Sequence, residues 1–207
     1  MKTDGGSIQR YTVAERITHW LIAIVFVYLM LTGLAFFTPH LFWLSSVMGG
    51  PTTSRIWHPI LGVIYTLFLL RMFLNWRRDM KIDADDKAWL NDVKKYIRNE
   101  DEGLPEAGRF NAGQKQLFWL QVIAGLLLLI SGIPLWFPES FWEALRLFAI
   151  IVHEIAALAV IGGIIVHVYM WAAVVRGSVR AMLSGIVTRS WAKTHHPKWY
   201  REITRRE

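Results

Sequence analysis

Four apolar runs set the pattern of the chain, at about residues 19–37, 57–76, 117–137 and 147–175. Each reaches the roughly 17–25 residues needed to cross about 30 Å of hydrocarbon. Backbone groups in lipid must satisfy one another within a segment, so the runs are predicted to be helices. The pattern therefore predicts an all-α fold: an integral membrane four-helix bundle forming a single domain over residues 1–207. The first run is too long for a secretory signal and lacks a small-x-small cleavage pattern after it, so it is expected to stay as an anchor. Polar sequence fills the loop at 77–116 and the tail at 176–207. Within the loop, KAWLNDVKKYIR (Lys87–Arg98) places Trp89, Leu90, Val93, Tyr96 and Ile97 on one helical side. That suits an amphipathic helix on the cytoplasmic membrane surface, or a short helix docked on a partner.

Composition reinforces this class. Hydrophobic residues make up 54% of the 207 positions and eleven are Trp, a bias that favours a membrane protein over a large soluble core. The net charge of +7 invites a nucleic-acid partner, but the positions of the cations exclude it. Lys2, Arg10 and Arg16 precede the first span, nine more lie in the 77–116 loop and eight in the tail. The other two connections hold only Arg55 and Arg146. The positive-inside rule then puts both termini and the long loop in the cytoplasm, and the basic balance marks topology and anionic lipid contact. There is no cysteine, which excludes disulfides, thiolate-held iron–sulfur clusters and c-type haem attachment within this chain.

Candidate chemistry comes from the histidines. The fourth run contains VHEIAALAVIGGIIVH, from Val152 to His167. On a helix, His153 and His167 stand roughly 21 Å apart, and fourteen steps of about 100° return to within about 40°, so they share a face. His19 opens the first span near the cytoplasmic side and His58 opens the second near the outer side. Depth therefore pairs His19 with His167 and His58 with His153. Ionisable groups inside a bilayer are costly and mark function. A lone histidine there is ordinarily a packed one bonded to a neighbouring helix; four that pair by depth are not. Two imidazoles facing across a bundle make a six-coordinate site for haem iron, so two stacked b-type haems are expected, with His19, His58, His153 and His167 as iron ligands. Histidines on separate helices at two depths do not gather into a tetrahedral zinc site. Gly33, Gly62, Gly162 and Gly163 lie where a porphyrin needs room, and small residues also let membrane helices approach closely. Arg71 is expected to bind a propionate or to snorkel. His195 and His196 belong to the basic tail, where a solvated or lipid-facing position is the default.

Several stretches carry a resemblance: RITHW (Arg16–Trp20), RIWHP (Arg55–Pro59), RFNAGQK (Arg109–Lys115), the His153–His167 segment and WAKTHHPKWYREI (Trp191–Ile203). Together they resemble the gamma subunit, cytochrome b556, of membrane-bound respiratory formate dehydrogenases. The resemblance covers nearly the whole chain. It implies that His19, His58, His153 and His167 ligate two haems. It implies a menaquinone or ubiquinone site by the cytoplasmic haem, lined by Asn111, Gly113 and Gln114; the same Asn111 also suits the cap of the third helix. The implied partners are an iron–sulfur beta subunit and a molybdenum or tungsten alpha subunit, with the heterotrimer forming a higher oligomer. The implied role is to carry electrons from the iron–sulfur subunit through two haems to quinone. Glu154 departs from the small or apolar residue expected there. Two other readings stay open: a cytochrome b of a nickel–iron hydrogenase or of a thiosulfate or polysulfide reductase, and a haem-free anchor or transporter subunit.

Overall fold

The computed structural model of the chain describes residues 6–98, 103–175 and 177–205; Lys2, Arg176 and Arg206, used above for topology, lie outside them. In chain order the elements are β1 (Ser7–Gln9), α1 (Val13–Phe37), α2 (Leu44–Val47), α3 (Pro51–Trp76), α4 (Ala84–Asn91), α5 (Val93–Ile97) and α6 (Ala112–Trp136). Then follow α7 (Glu143–Tyr169), a π-helical extension at Met170–Val174, α8 (Ser178–Ser184), β2 (Ile186–Thr188), α9 (Arg189–His195) and α10 (Pro197–Thr204). Among the described residues, four helices are long and apolar enough to cross a membrane: α1, α3, α6 and α7 with its extension.

All four begin four to six residues before the apolar runs do. Capping explains this for two of them. Thr12 N donates to Glu15 Oε2 at 2.8 Å while Glu15 N donates to Thr12 Oγ1 at 3.2 Å. Asn111 N donates to Gln114 Oε1 at 3.0 Å and Gln114 N to Asn111 Oδ1 at 2.9 Å. These reciprocal boxes satisfy backbone donors that a helix start leaves unpaired. The first turns are polar, so hydropathy alone places the start too late.

The chain divides into two compact units. The first comprises residues 1–17, 75–119 and 164–207. Here β1 and β2 pair antiparallel, with Ile8 opposite Val187, an element that the apolar pattern did not predict. Gly185, at φ +83°, turns the chain into β2, and its carbonyl accepts from Arg10 N at 2.8 Å and Tyr11 N at 3.2 Å. The expected amphipathic helix is two short ones, α4 and α5, broken at Asp92. Their apolar side packs on the chain itself: Trp89 and Tyr96 are buried with Ala112, Val174 and Val175. Lys115 Nζ, from α6, meets the carboxylate of Asp86 at 2.6 Å, both side chains nearly buried. Arg109 bridges Glu15 at 2.7 Å and Asp79 at 2.8 Å. Burial works against the Arg109 charge, but hydrogen bonds to Asp79 and Glu15 outweigh it and hold the guanidinium protonated above its ordinary range.

The tail corrects one expectation. His196 is neither solvated nor lipid-facing; it is 2% exposed. Its Nδ1 lies 2.7 Å from Gly108 O, which only accepts, so Nδ1–H donates and Nε2 accepts from Arg10 Nη2 at 3.0 Å. Burial, then the Arg10 charge, holds the imidazole well below its ordinary pKa. Arg10 in turn lies about 5 Å from the ring centres of Tyr11, Trp191 and Trp199, a cation–π cage.

The second unit comprises residues 18–74 and 120–163. Its large apolar side chains point outward: Ile24, Leu67, Ile130, Phe148 and Ile155 are all exposed. Most of its buried positions are small or polar, among them Thr32, Ser45, Ser54, Ser131, Ala149 and Ala156, with Phe26, Tyr65, Leu69 and Val160 the larger exceptions. That inversion of the soluble pattern is what close helix packing in lipid produces. Helix α3 approaches α6 at Gly125, where an added Cβ would stand 2.5 Å from Leu69 Cδ1, and Tyr65 Oη donates to Gln121 Oε1 at 2.6 Å.

Candidate haem site

Within the second unit, α3 and α7 bring two of the four expected ligands together. The rings of His58 and His153 lie with centres 6.3 Å apart and planes inclined by 52°. Two iron–nitrogen bonds of about 2 Å, on opposite sides of one iron, place imidazole centres roughly 6–6.5 Å apart. The separation therefore fits a bis-histidine site and is wider than ring contact requires.

The polar partners of both rings decide which nitrogen faces inward. His58 Nδ1 lies 2.7 Å from Thr32 Oγ1. His153 Nδ1 lies 3.0 Å from Ser131 Oγ. Nδ1 of each ring is thereby occupied by protein, and Nε2 is the nitrogen left for a metal. An anchored second nitrogen is the usual support of a metal-binding imidazole. Each ring lies against a glycine: a Cβ on Gly33 would stand 3.4 Å from His58 Cε1, and one on Gly132 3.5 Å from His153 Cε1, both ordinary contact distances. A Cβ on Gly62 or on Gly162 would meet nothing within 4 Å. The donor set, two neutral nitrogens with no thiolate, and the open space along the helices fit a b-type haem.

Thr32, Ser131 and Gly132 escaped the sequence reading. A signal existed: TG at Thr32–Gly33 and SG at Ser131–Gly132 place a hydroxyl beside a glycine inside otherwise apolar runs.

The other two expected ligands belong to different units. His19 lies on α1 in the second unit, and His167 lies on α7 in the first; their pairing rests on the depth read from sequence. His167 sits three residues before the π-helical stretch at Met170–Val174, a local widening often found at functional sites. Arg71 Nε donates to Thr18 Oγ1 at 3.1 Å.

The NAGQ stretch lies in the first unit. Asn111 is 5% exposed; its Oδ1 caps α6 and its Nδ2 donates to Tyr96 Oη at 3.1 Å. Gln114 returns the cap through Oε1. Gly113 lies against Trp89, with an added Cβ 3.7 Å from Cη2.

Two imidazoles spaced as one iron would require, among membrane-length helices, are the arrangement of a b-type cytochrome. The family model described as prokaryotic cytochrome b561 matches residues 10–185, and the chain belongs to that family. It is 41% identical over 203 residues to the formate dehydrogenase cytochrome b556(fdo) subunit of Escherichia coli K12, covering 95% of this chain and 93% of the relative. The nitrate-inducible formate dehydrogenase cytochrome b556(Fdn) subunit of the same strain is 34% identical over 205 residues, 97% and 93% of the two chains. The formate dehydrogenase cytochrome b556 subunit of Haemophilus influenzae is 37% identical over 201 residues, 94% and 83% of the two chains. The resemblance noted from five short motifs thus extends along the whole sequence.

Proposed function

We propose that the chain is the cytochrome b subunit of a quinone-linked formate dehydrogenase. It carries electrons inward across the bacterial cytoplasmic membrane, from an iron–sulfur subunit to a quinone, with a molybdenum or tungsten subunit oxidising formate. Haem bound at each histidine pair supplies one-electron redox chemistry. His58 and His153 hold the outer group, and His19 and His167 the inner one. Both termini and the 77–116 loop face the cytoplasm. Gln114, presented by the Asn111 cap, offers its amide to a quinone oxygen, and Gly113 leaves the approach open beside Trp89. Moving one electron inward against the membrane potential costs about 2.3 kcal/mol per 100 mV, which formate oxidation has to supply.

The observation that carries this reading is the His58–His153 pair, spaced for one iron and anchored on both Nδ1 atoms. A pyridine haemochrome assay on the complex isolated through this chain tests it. Wild type is expected to hold two haems per chain and to bring formate dehydrogenase subunits with it; His153→Ala is expected to hold one. Two haems retained in His153→Ala would refute the ligand assignment.

A further inference from the structure

The hydroxyls behind His58 and His153 do more than fill space. Thr32 Oγ1 lies 2.8 Å from Tyr28 O, and 3.2 Å from Leu29 O. Ser131 Oγ lies 2.6 Å from Leu127 O, and 3.4 Å from Leu128 O. A hydroxyl has one proton and a carbonyl has none to give. At 2.6–2.8 Å each oxygen–oxygen contact needs that proton, so both hydroxyls donate along their own helices. They can then meet Nδ1 only as acceptors, a part that Leu128 O shares at His153. Nδ1 of each ring therefore carries the hydrogen, and Nε2 carries the lone pair.

A serine or threonine inside a helix commonly bonds the carbonyl four residues back, with no further role. Three features exceed that. Both hydroxyls are buried, Thr32 fully and Ser131 at 5% exposure. Each also contacts a ring nitrogen, at 2.7 and 3.0 Å. And the same triplet is built twice: Thr32–Gly33 on α1 against His58 on α3, and Ser131–Gly132 on α6 against His153 on α7. In each the hydroxyl meets Nδ1 and the next residue, glycine, lies against Cε1.

We infer that Thr32 and Ser131 are positioning residues which lock the imidazoles of His58 and His153 in the metal-binding tautomer and set the electron density that both deliver to one iron. The inference rests on the ligand assignment proposed above. A ring whose Nδ1–H donates a hydrogen bond is the stronger electron donor, because the bond pulls the proton off and leaves negative charge on the ring. Such a ligand favours ferric over ferrous iron. Removing either acceptor weakens that preference, so the potential of this one haem rises.

The test is an optical redox titration of the complex in membranes, beside a haem count. Thr32→Val and Ser131→Ala are each expected to change the ferric-to-ferrous preference of the same haem about tenfold, an upward shift of about 59 mV for one electron. The other haem is expected to keep its potential. Thr32→Ser and Ser131→Thr, which retain the hydroxyl, are expected to restore the wild-type value. Two haems present with both potentials unmoved in both variants would overturn the inference, as would a shift in Thr32→Ser equal to that in Thr32→Val. Should Thr32→Val not retain haem, Ser131→Ala decides by the same criterion, since it deletes a single oxygen. Failure of the ligand assignment looks different: His58→Ala and His153→Ala would then keep both haems.

Discussion

Lys115→Met probes how the start of α6 is held. The Lys115–Asp86 pair is nearly buried on both sides, at 2.6 Å. Asp86 Oδ2 also accepts from Asp83 N at 2.8 Å, closing the capping box of α4. One carboxylate thus fastens α4 to α6 four residues past Asn111. Removing only the ammonium leaves a buried anion without its cation, which costs about 3–5 kcal/mol. Each 1.36 kcal/mol is a factor of ten, so local opening of α4 should become roughly two to four orders of magnitude more frequent. Amide hydrogen exchange over Ala84–Asn91, read by mass spectrometry on the intact complex, measures that opening. Asp86→Asn with Lys115→Met removes both charges yet keeps an oxygen for Asp83 N, and is expected to recover protection to within about 1 kcal/mol. Protection unchanged in Lys115→Met, or a double variant as open as the single one, would refute the claim that charge pairing and not shape holds α4.

Two further outcomes concern the first unit. His196 is buried neutral, with its pKa held down by burial and by Arg10. The unfolded chain takes up its proton near pH 6.5 and the folded one does not, so stability rises with pH up to that point and is lost as pH falls below it. Thermal denaturation at pH 5–7 should show this slope, and His196→Gln should flatten it. Gly185→Ala forces an alanine to φ +83° with its Cβ 2.8 Å from Tyr11 O. The left-handed backbone alone costs about 1–2 kcal/mol, so the melting point should fall and the β1–β2 amides should exchange first.

Much of this molecule was legible because lipid imposes a simple rule on sequence. Length and hydropathy found all four long helices, and three starting signals they missed are also written in the chain. Thr12-x-x-Glu15, Asp83-x-x-Asp86 and Asn111-x-x-Gln114 are cap patterns that a hydropathy window cannot register. The β1–β2 pairing was not legible. Strands of three residues, at opposite ends of the chain, carry no period to read. His196 was misplaced for a related reason. Its neighbours in sequence are basic and polar, whereas its burial comes from Arg10 and Gly108, far along the chain.

The candidate haem site divides along the same line. An imidazole that binds iron needs a side chain of the right kind, a protonated Nδ1 and room beside the ring. The first requirement belongs to one helix and shows as spacing, which is why His58 and His153 could be paired from depth alone. The other two come from neighbouring helices. Thr32 and Gly33 serve His58, and Ser131 and Gly132 serve His153, only because α1 packs on α3 and α6 on α7 in one register. A shift of one residue in either helix would exchange the hydroxyl for the glycine against the ring and remove the acceptor. The tautomer of each imidazole is therefore a property of helix register, and helix register in lipid is set by small residues such as these.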